Sequence, residues 1–310
     1  MTVRWGILGA GWIVQTATAD ALRHAPSATL AGVAARDINR ARALEPEHAY
    51  GSYGDLLADD SIDAVYIALT NDQHFPWILN AIAAGKHVLC EKPLTLSAHQ
   101  TSEVFTAAEK AGVLLVEAAW SMWHPRMRRL TELVSSGAIG TITDFLGTFT
   151  FEGVPEGNYR LDPTLGGGAL LDIGVYPLHA LVGCLPEVRS MRPEVERISS
   201  ESGVDLTTKA RLDLGSRGSA SIVASFTMPE SQRLLVHGAD TEVRVPDDQA
   251  FTTWREATTL IVGEHLEEFA PTNAYQDMFQ AVSARIMGRE EWILPPDSSI
   301  RVASLVDALR

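Results

Sequence analysis

Val3-Arg4-Trp5-Gly6-Ile7-Leu8-Gly9-Ala10-Gly11-Trp12-Ile13-Val14 is a short apolar run, then two glycines, then the start of a helical spacing that continues to His24. Val3 to Leu8 reads as a strand and the residues after Gly11 as the first turn of a helix. At such a strand–turn–helix junction the first glycine permits a tight turn and the second lets a pyrophosphate reach the backbone. The helix N-terminus then offers free N–H groups and the positive end of its dipole. Gly9, Gly11, Trp12 and Ile13 are therefore candidate dinucleotide-binding residues. Val14 stands where a third glycine or alanine is usual, which implies a slightly wider helix–strand spacing. A plain strand–helix turn is the alternative; the flanking strand and helix favour dinucleotide binding.

Outward from this turn the rhythm repeats. Apolar runs at 28–35, 64–69, 87–90 and 113–116 alternate with helical spacings at 38–44, 77–84 and from a Ser97 cap to Lys110, where Gly112 closes the helix. Continuous apolar strands separated by helices predict a doubly wound parallel sheet, a Rossmann domain over 1–120. Beyond it, alternating runs from Val188 to about Ala270 lack intervening helices and predict an open, mostly antiparallel sheet. Residues 121–295 thus read as an α+β substrate-binding and oligomerisation domain, and a last helix, about 296–310, is a candidate to pack back on the first domain. The fold class is α/β.

The 310 residues carry a formal net charge of -14, so a nucleic-acid surface is excluded for want of a concentrated basic stripe. Arg126, Arg128 and Arg129 form the one tight basic cluster and read as a solvated helix face. Cys90 and Cys184 have apolar neighbours and read as buried thiols; a disulfide between them is the alternative, which a chain with ample core does not need. No leader pattern is seen, and no apolar run approaches the roughly 18 residues of a membrane span, so a cytoplasmic protein without membrane partner is expected. The histidines His24, His48, His87, His99, His237 and His265 are isolated, and no metal site is expected.

The second strand runs into Ala34-Ala35-Arg36-Asp37, with Arg40 one helical turn on. An acidic residue here would hold the ribose hydroxyl of NAD, whereas arginine suits the 2′-phosphate of NADP. Arg36 and Arg40 favour NADP(H); Asp37 on the ribose keeps NAD(H) as the alternative. Cys90-Glu91-Lys92-Pro93 ends another strand, where such sheets place their ligands, and Lys92 could carry positive charge to a substrate oxygen. Gly166-Gly167-Gly168 leads into an apolar stretch, 169–184, that bears Asp172, Tyr176 and His179. Asp172 and Tyr176, four apart, share a helical face and need a polar partner or ligand.

These residues resemble the glucose–fructose oxidoreductase, inositol dehydrogenase and MocA family. The resemblance rests on Gly9-x-Gly11, Tyr66-Ile67-Ala68 with Asn71-x-x-His74, Glu91-Lys92-Pro93, Glu117-Ala118-Ala119-Trp120 and Gly167 to Tyr176, and covers essentially the whole chain. It is most similar to the branch of dimeric dihydrodiol dehydrogenase and NADP-dependent D-xylose dehydrogenase. The resemblance implies Lys92 and Tyr176 as catalytic groups, Asp172 as a substrate- and site-orienting aspartate, and Trp120 and Trp123 on the segment lining the pocket. It also implies Leu69, Thr70, Asn71, His74, Glu91 and Lys92 beside the nicotinamide and its ribose. It further implies a sugar, polyol or cyclic diol as substrate and a homodimer or larger homo-oligomer through the second sheet. Two departures bear on it: Leu69-Thr70 replaces a common Thr-Pro pair, and Met122 replaces an arginine, which touches substrate choice most.

Chemically, the expected activity is hydride transfer coupled to proton transfer at the substrate oxygen. A free tyrosine ionises near pH ~10; a neighbouring ammonium would favour its phenolate while Asp172 would oppose it. His179 reads either as near the substrate or as an interior histidine, and Trp254 and Trp292 as core or interface. Competing readings are an NAD-dependent glycoside hydrolase with transient oxidation, and a non-catalytic NADP-binding regulatory protein. Arg36 with Arg40 counts against the first; Lys92, Asp172 and Tyr176 together count against the second.

Overall fold

A computed structural model describes residues 2–186 and 192–310, so the start of the alternating run expected from Val188 lies outside the described residues. In chain order the strands are β1 (Val3–Leu8), β2 (Ala28–Ala34), β3 (His48–Tyr50), β4 (Ala64–Ile67), β5 (His87–Glu91), β6 (Leu115–Ala118), β7 (Ile142–Glu152), β8 (Arg192–Ser199), β9 (Asp205–Asp213), β10 (Ser219–Ser225), β11 (Thr227–Gly238), β12 (Glu242–Val245), β13 (Thr258–Val262) and β14 (His265–Phe269). The α-helices are α1 (Ala19–His24), α2 (Ile38–Arg42), α3 (Tyr53–Leu57), α4 (Asn71–Ala83), α5 (Ala98–Ala111), α6 (Pro125–Ser135), α7 (Val175–Cys184), α8 (Ala274–Ile286) and α9 (Pro296–Leu309). They fall into two compact units, Met1–Trp123 with Asn273–Ser299, and His124–Thr272 with Ile300–Arg310.

The first unit holds a parallel sheet in the order β3-β2-β1-β4-β5-β6. The strand order reverses between β1 and β4, which opens a crevice outside their carboxyl ends. Local signals set the helix ends: Ser97 accepts from the Gln100 N–H at the start of α5, and Gly112, at φ 68°, ends it. Before α1 the chain makes a π-type turn, Val14–Thr18, with Val14 fully buried. Residues 273–295, expected in the second domain, belong to this unit instead, together with 296–299 of the last helix. The reason is packing. Trp5 on β1 and Tyr66 on β4 are fully buried, and Phe279 of α8 meets both rings edge-on at 5.4 and 5.2 Å. The Trp5 indole N–H also donates to Ser283 Oγ at 3.0 Å.

The second unit holds a mixed sheet in the order β14-β13-β12-β11-β7-β10-β9-β8, antiparallel throughout except for the parallel β7–β10 pair. Alternate residues of its central strands are buried, among them Phe145 and Phe149 of β7 and Ala220, Ile222 and Ala224 of β10. Helix α7 lies close on β7: a Cβ at Gly147 would stand 2.5 Å from Pro177 Cβ. Residues 300–310, expected against the first domain, belong here. Arg301 donates to the Leu185 and Pro186 carbonyls at 2.7 and 3.0 Å, and Arg197 donates to the Leu309 carbonyl.

Three expectations change. The Arg126 side chain is buried rather than solvated and donates to the Gln249 carbonyl at 2.7 Å, while Arg129 grips Glu267 through two nitrogens. The helical run Pro163–Cys184 is, by length and composition, long and apolar enough to cross a membrane, where no such run was expected. Its most apolar part is mostly buried inside the protein: the apolarity is that of a core element over the sheet. The stretch at 169–184, expected as one α-helix, starts as a π-type turn, Leu170–Gly174, so Asp172 precedes α7 and Tyr176 lies in its first turn. Cys90 and Cys184 are both free and buried.

Candidate active site

The glycine turn is built by close approach. Gly9 sits at φ 109°, and a Cβ there would stand 2.4 Å from the Ala68 carbonyl oxygen at the end of β4. A Cβ at Gly11 would meet no protein atom within 4 Å, so the need for glycine there points outward from the chain. Trp12 beside it is 68% exposed, and Ile13 half-buried.

At the end of β2 the three candidate residues divide their work. Asp37 caps α2, its Oδ1 accepting from the Asn39 N–H at 3.0 Å. Arg40 reaches back to the glycine turn and donates to the Ala10 carbonyl at 2.5 Å. Arg36 is exposed. Arg40 therefore fixes α2 against the turn, and its remaining N–H groups and those of Arg36 are what the site offers a phosphate.

Around Lys92 the first unit is polar and buried. His74, in the first turns of α4, stands between two carbonyls, with Nδ1 2.8 Å from Pro93 O and Nε2 3.2 Å from Leu69 O. Burial, against those hydrogen bonds, lowers the His74 pKa. This histidine ties the loop after β4, carrying half-buried Leu69 and Thr70 and buried Asn71, to the turn after β5. Glu91 accepts from the Tyr66 hydroxyl at 2.5 Å and from the Lys92 N–H at 3.2 Å; burial raises its carboxyl pKa, with Lys92 and Tyr66 opposing. Glu117 accepts from the Leu94 N–H at 2.9 Å. Two buried carboxylates and one imidazole thus hold the backbone on both sides of the half-buried Lys92. Trp120 packs against Tyr275 and Trp123 against Trp292, each at 5.2 Å, in a 3-10 turn that also buries Met122.

In the second unit, Asp172 is 4% exposed and its Oδ2 accepts from Arg160 Nε at 2.6 Å. Tyr176 is half-buried, its ring 5.6 Å from Phe149 and 5.9 Å from Phe251, which stack on each other. His179, further along α7, is buried. The triglycine is required by crowding: a Cβ at Gly167 would stand 2.5 Å from the Arg160 carbonyl oxygen, and one at Gly168, at φ 126°, 2.1 Å from Asp205 Oδ1.

Residues 3–118 match the oxidoreductase family with an NAD-binding Rossmann fold, GFO/IDH/MocA, and residues 127–244 match the GFO/IDH/MocA C-terminal domain. The chain belongs to the GFO/IDH/MocA oxidoreductase family. Among its relatives, D-xylose 1-dehydrogenase (NADP(+)) 2 of Haloferax volcanii is 35% identical, with 98% of this chain and 95% of the relative covered. Trans-1,2-dihydrobenzene-1,2-diol dehydrogenase of Mus musculus is also 35% identical, over 87% of this chain and 81% of the relative. The crystal structure of a 3-ketoreductase from Actinomadura kijaniata, in complex with NADP and TDP-benzene, is similar at a TM-score of 0.87 and 29% identity, covering 100% of this chain and 97% of that one. The expected branch of the family includes the first two.

Within this family member, sequence reasoning missed Arg160, the aromatic pair Phe149 and Phe251, and the Tyr66–Glu91 bond. Arg160 lies in a short 3-10 turn, Tyr159–Leu161, twelve residues before Asp172, and no periodicity links them. Tyr66 and Glu91 come from adjacent parallel strands, and an i-to-j pairing across strands has no sequence signal.

Proposed function

We propose that this chain is an NADP(H)-dependent oxidoreductase acting on a hydroxyl or carbonyl carbon of a sugar, polyol or cyclic diol, with Tyr176 as general acid/base and Lys92 as the cation that stabilises the substrate oxygen. The observation that carries the reading is Tyr176 itself. Its phenol is half-buried on an apolar helix, flanked by two aromatic rings and preceded by a carboxylate already paired with an arginine. A hydroxyl in that setting can hold a proton or release it without solvent competing for it. Lys92, fixed through its neighbours Glu91 and Pro93, brings a charge that need not reorganise as the substrate oxygen becomes negative.

The glycine turn fits a dinucleotide, because at Gly11 a side chain would fill open space where a pyrophosphate can meet backbone N–H groups. When bound, the nicotinamide supplies or accepts the hydride at the substrate carbon. Asp37 is committed to capping α2, and exposed Arg36 with Arg40 beside it suits a 2′-phosphate. The relatives' cofactors, NADP(+) in the name of the Haloferax enzyme and NADP in the ketoreductase structure, support the same choice. The xylose and dihydrodiol dehydrogenases lend the substrate class. Fluorescence titration tests the cofactor: Arg36→Ala should weaken NADPH binding about tenfold, the loss of one charge-assisted contact, and leave NADH binding unchanged. Unchanged NADPH affinity contradicts the assignment.

A further inference from the structure

Asp172 poses an electrostatic problem for a general base four residues further along the chain. A buried carboxylate next to Tyr176 makes the phenolate harder to form, because like charges oppose ionisation. The loop before the triglycine supplies the answer. Arg160 Nε donates to Asp172 Oδ2 at 2.6 Å, and the guanidinium carbon lies 4.9 Å from the centre of the Tyr159 ring. Burial works against the charge on Arg160, yet its pKa is raised, as the charges of Asp172, Tyr159 and Tyr176 outweigh that burial.

Resting on the reading of Tyr176 as general acid/base, we propose that Arg160 is a positioning residue for the reaction: it orients Asp172 and balances its charge, so that Tyr176 ionises beside an ion pair and not beside a lone carboxylate. Its backbone is built for that duty. Asn158 Oδ1 accepts from the Arg160 N–H at 3.0 Å, and the Arg160 carbonyl accepts from the Gly168 N–H at 3.0 Å. The Gly167 N–H donates to the Asp162 carbonyl at 2.9 Å, closing the loop on the glycines that precede Asp172. Asparagine, arginine and triglycine therefore form one device whose output is the place of one guanidinium.

The charged and titratable groups of the second unit around Tyr176 come from several elements. The preceding turn brings Asp172, the loop brings Arg160 and Tyr159, and α7 itself brings His179 one turn on. Strand β7 and the segment at 251 bring the rings of Phe149 and Phe251 to it. From α6, Arg126 is turned to the Gln249 carbonyl, and from β9, Asp205 is engaged by the Leu170 N–H and the Thr208 hydroxyl. In the proposed mechanism Lys92 is the other cation, and it is common to every variant below.

The test is the pH profile of kcat/KM for substrate oxidation with NADP, measured on Arg160→Gln, Asp172→Asn and the double variant, with NADPH affinity measured alongside. Losing Arg160 should move the rising limb to higher pH by about one unit or more, the shift an adjacent charge produces. Losing Asp172 should move it to lower pH, and losing both should return it close to wild type. NADPH affinity should stay the same in all three. Arg160→Lys, which keeps the cation, should hold the limb near the wild-type position with a lower kcat, and with Asp172→Asn it carries the test where Arg160→Gln does not fold. A limb that stays put in Asp172→Asn, or moves identically in Arg160→Gln and the double variant, overturns the proposal. Full activity of Tyr176→Phe would instead overturn the reading it rests on, so the two failures are distinguishable.

Discussion

Gly9 and Gly11 look alike in the sequence and do different jobs in the structure. At Gly9 the backbone is left-handed and the space is taken by the Ala68 carbonyl; at Gly11 the protein leaves room. Gly9→Ala should therefore lower stability by about 2 kcal/mol or more, as strain and a backbone clash combine. Gly11→Ala should leave the urea midpoint near that of wild type and weaken NADPH binding. Equal losses of stability in the two variants would contradict this division. The glycines were legible because the demands of a turn are local. Arg160 was not, because its partner is set by how the connection from its 3-10 turn to the triglycine folds. The same holds for His74: its place in a motif was visible, but not that both its ring nitrogens face protein carbonyls.

Elements show a similar divide. Strands β1, β2, β4 and β5 were legible as apolar runs, and Ser97 and Gly112 marked the ends of α5. The π-type turns at 14–18 and 170–174 were not, because residue spacing at one turn does not separate i→i+4 from i→i+5 bonding. Helix α6 carries a consequence for pH. His124 caps it, Nδ1 accepting from the Arg126 N–H at 3.1 Å, and the residue is 3% exposed. Burial first, and the charge of Arg126 second, push the imidazole down to about 4. The folded state thus keeps His124 neutral while the unfolded state takes up a proton below pH ~6.5. That stability is fully present above the unfolded value and is lost as pH falls toward the folded one. His124→Asn keeps a capping acceptor and removes the titration. Urea unfolding of both proteins should show the wild-type advantage shrinking by about 2 kcal/mol between pH 7 and pH 5, the linkage for this shift. A constant difference across that range would contradict it.

On the scale of the molecule, a first boundary near residue 120 was legible because the strand–helix alternation stops there, and the division falls after Trp123. The return of 273–295 to the first unit was not legible. Trp5 and Ser283 are 278 residues apart, and only the three-dimensional need to cover Trp5 and Tyr66 brings α8 onto that sheet. Family membership follows from the whole length of the chain; the roles of Lys92 and Tyr176 are the claim at the centre. Their most direct test is nicotinamide absorbance, followed with NADP and a panel of aldoses, polyols and dihydrodiols, on the wild-type protein, Lys92→Met and Tyr176→Phe. The account predicts that wild type reduces NADP with at least one member of the panel and that both variants lose about 100-fold or more in kcat with NADPH affinity intact, the scale of a lost acid/base group. Wild-type kcat in both variants would contradict it.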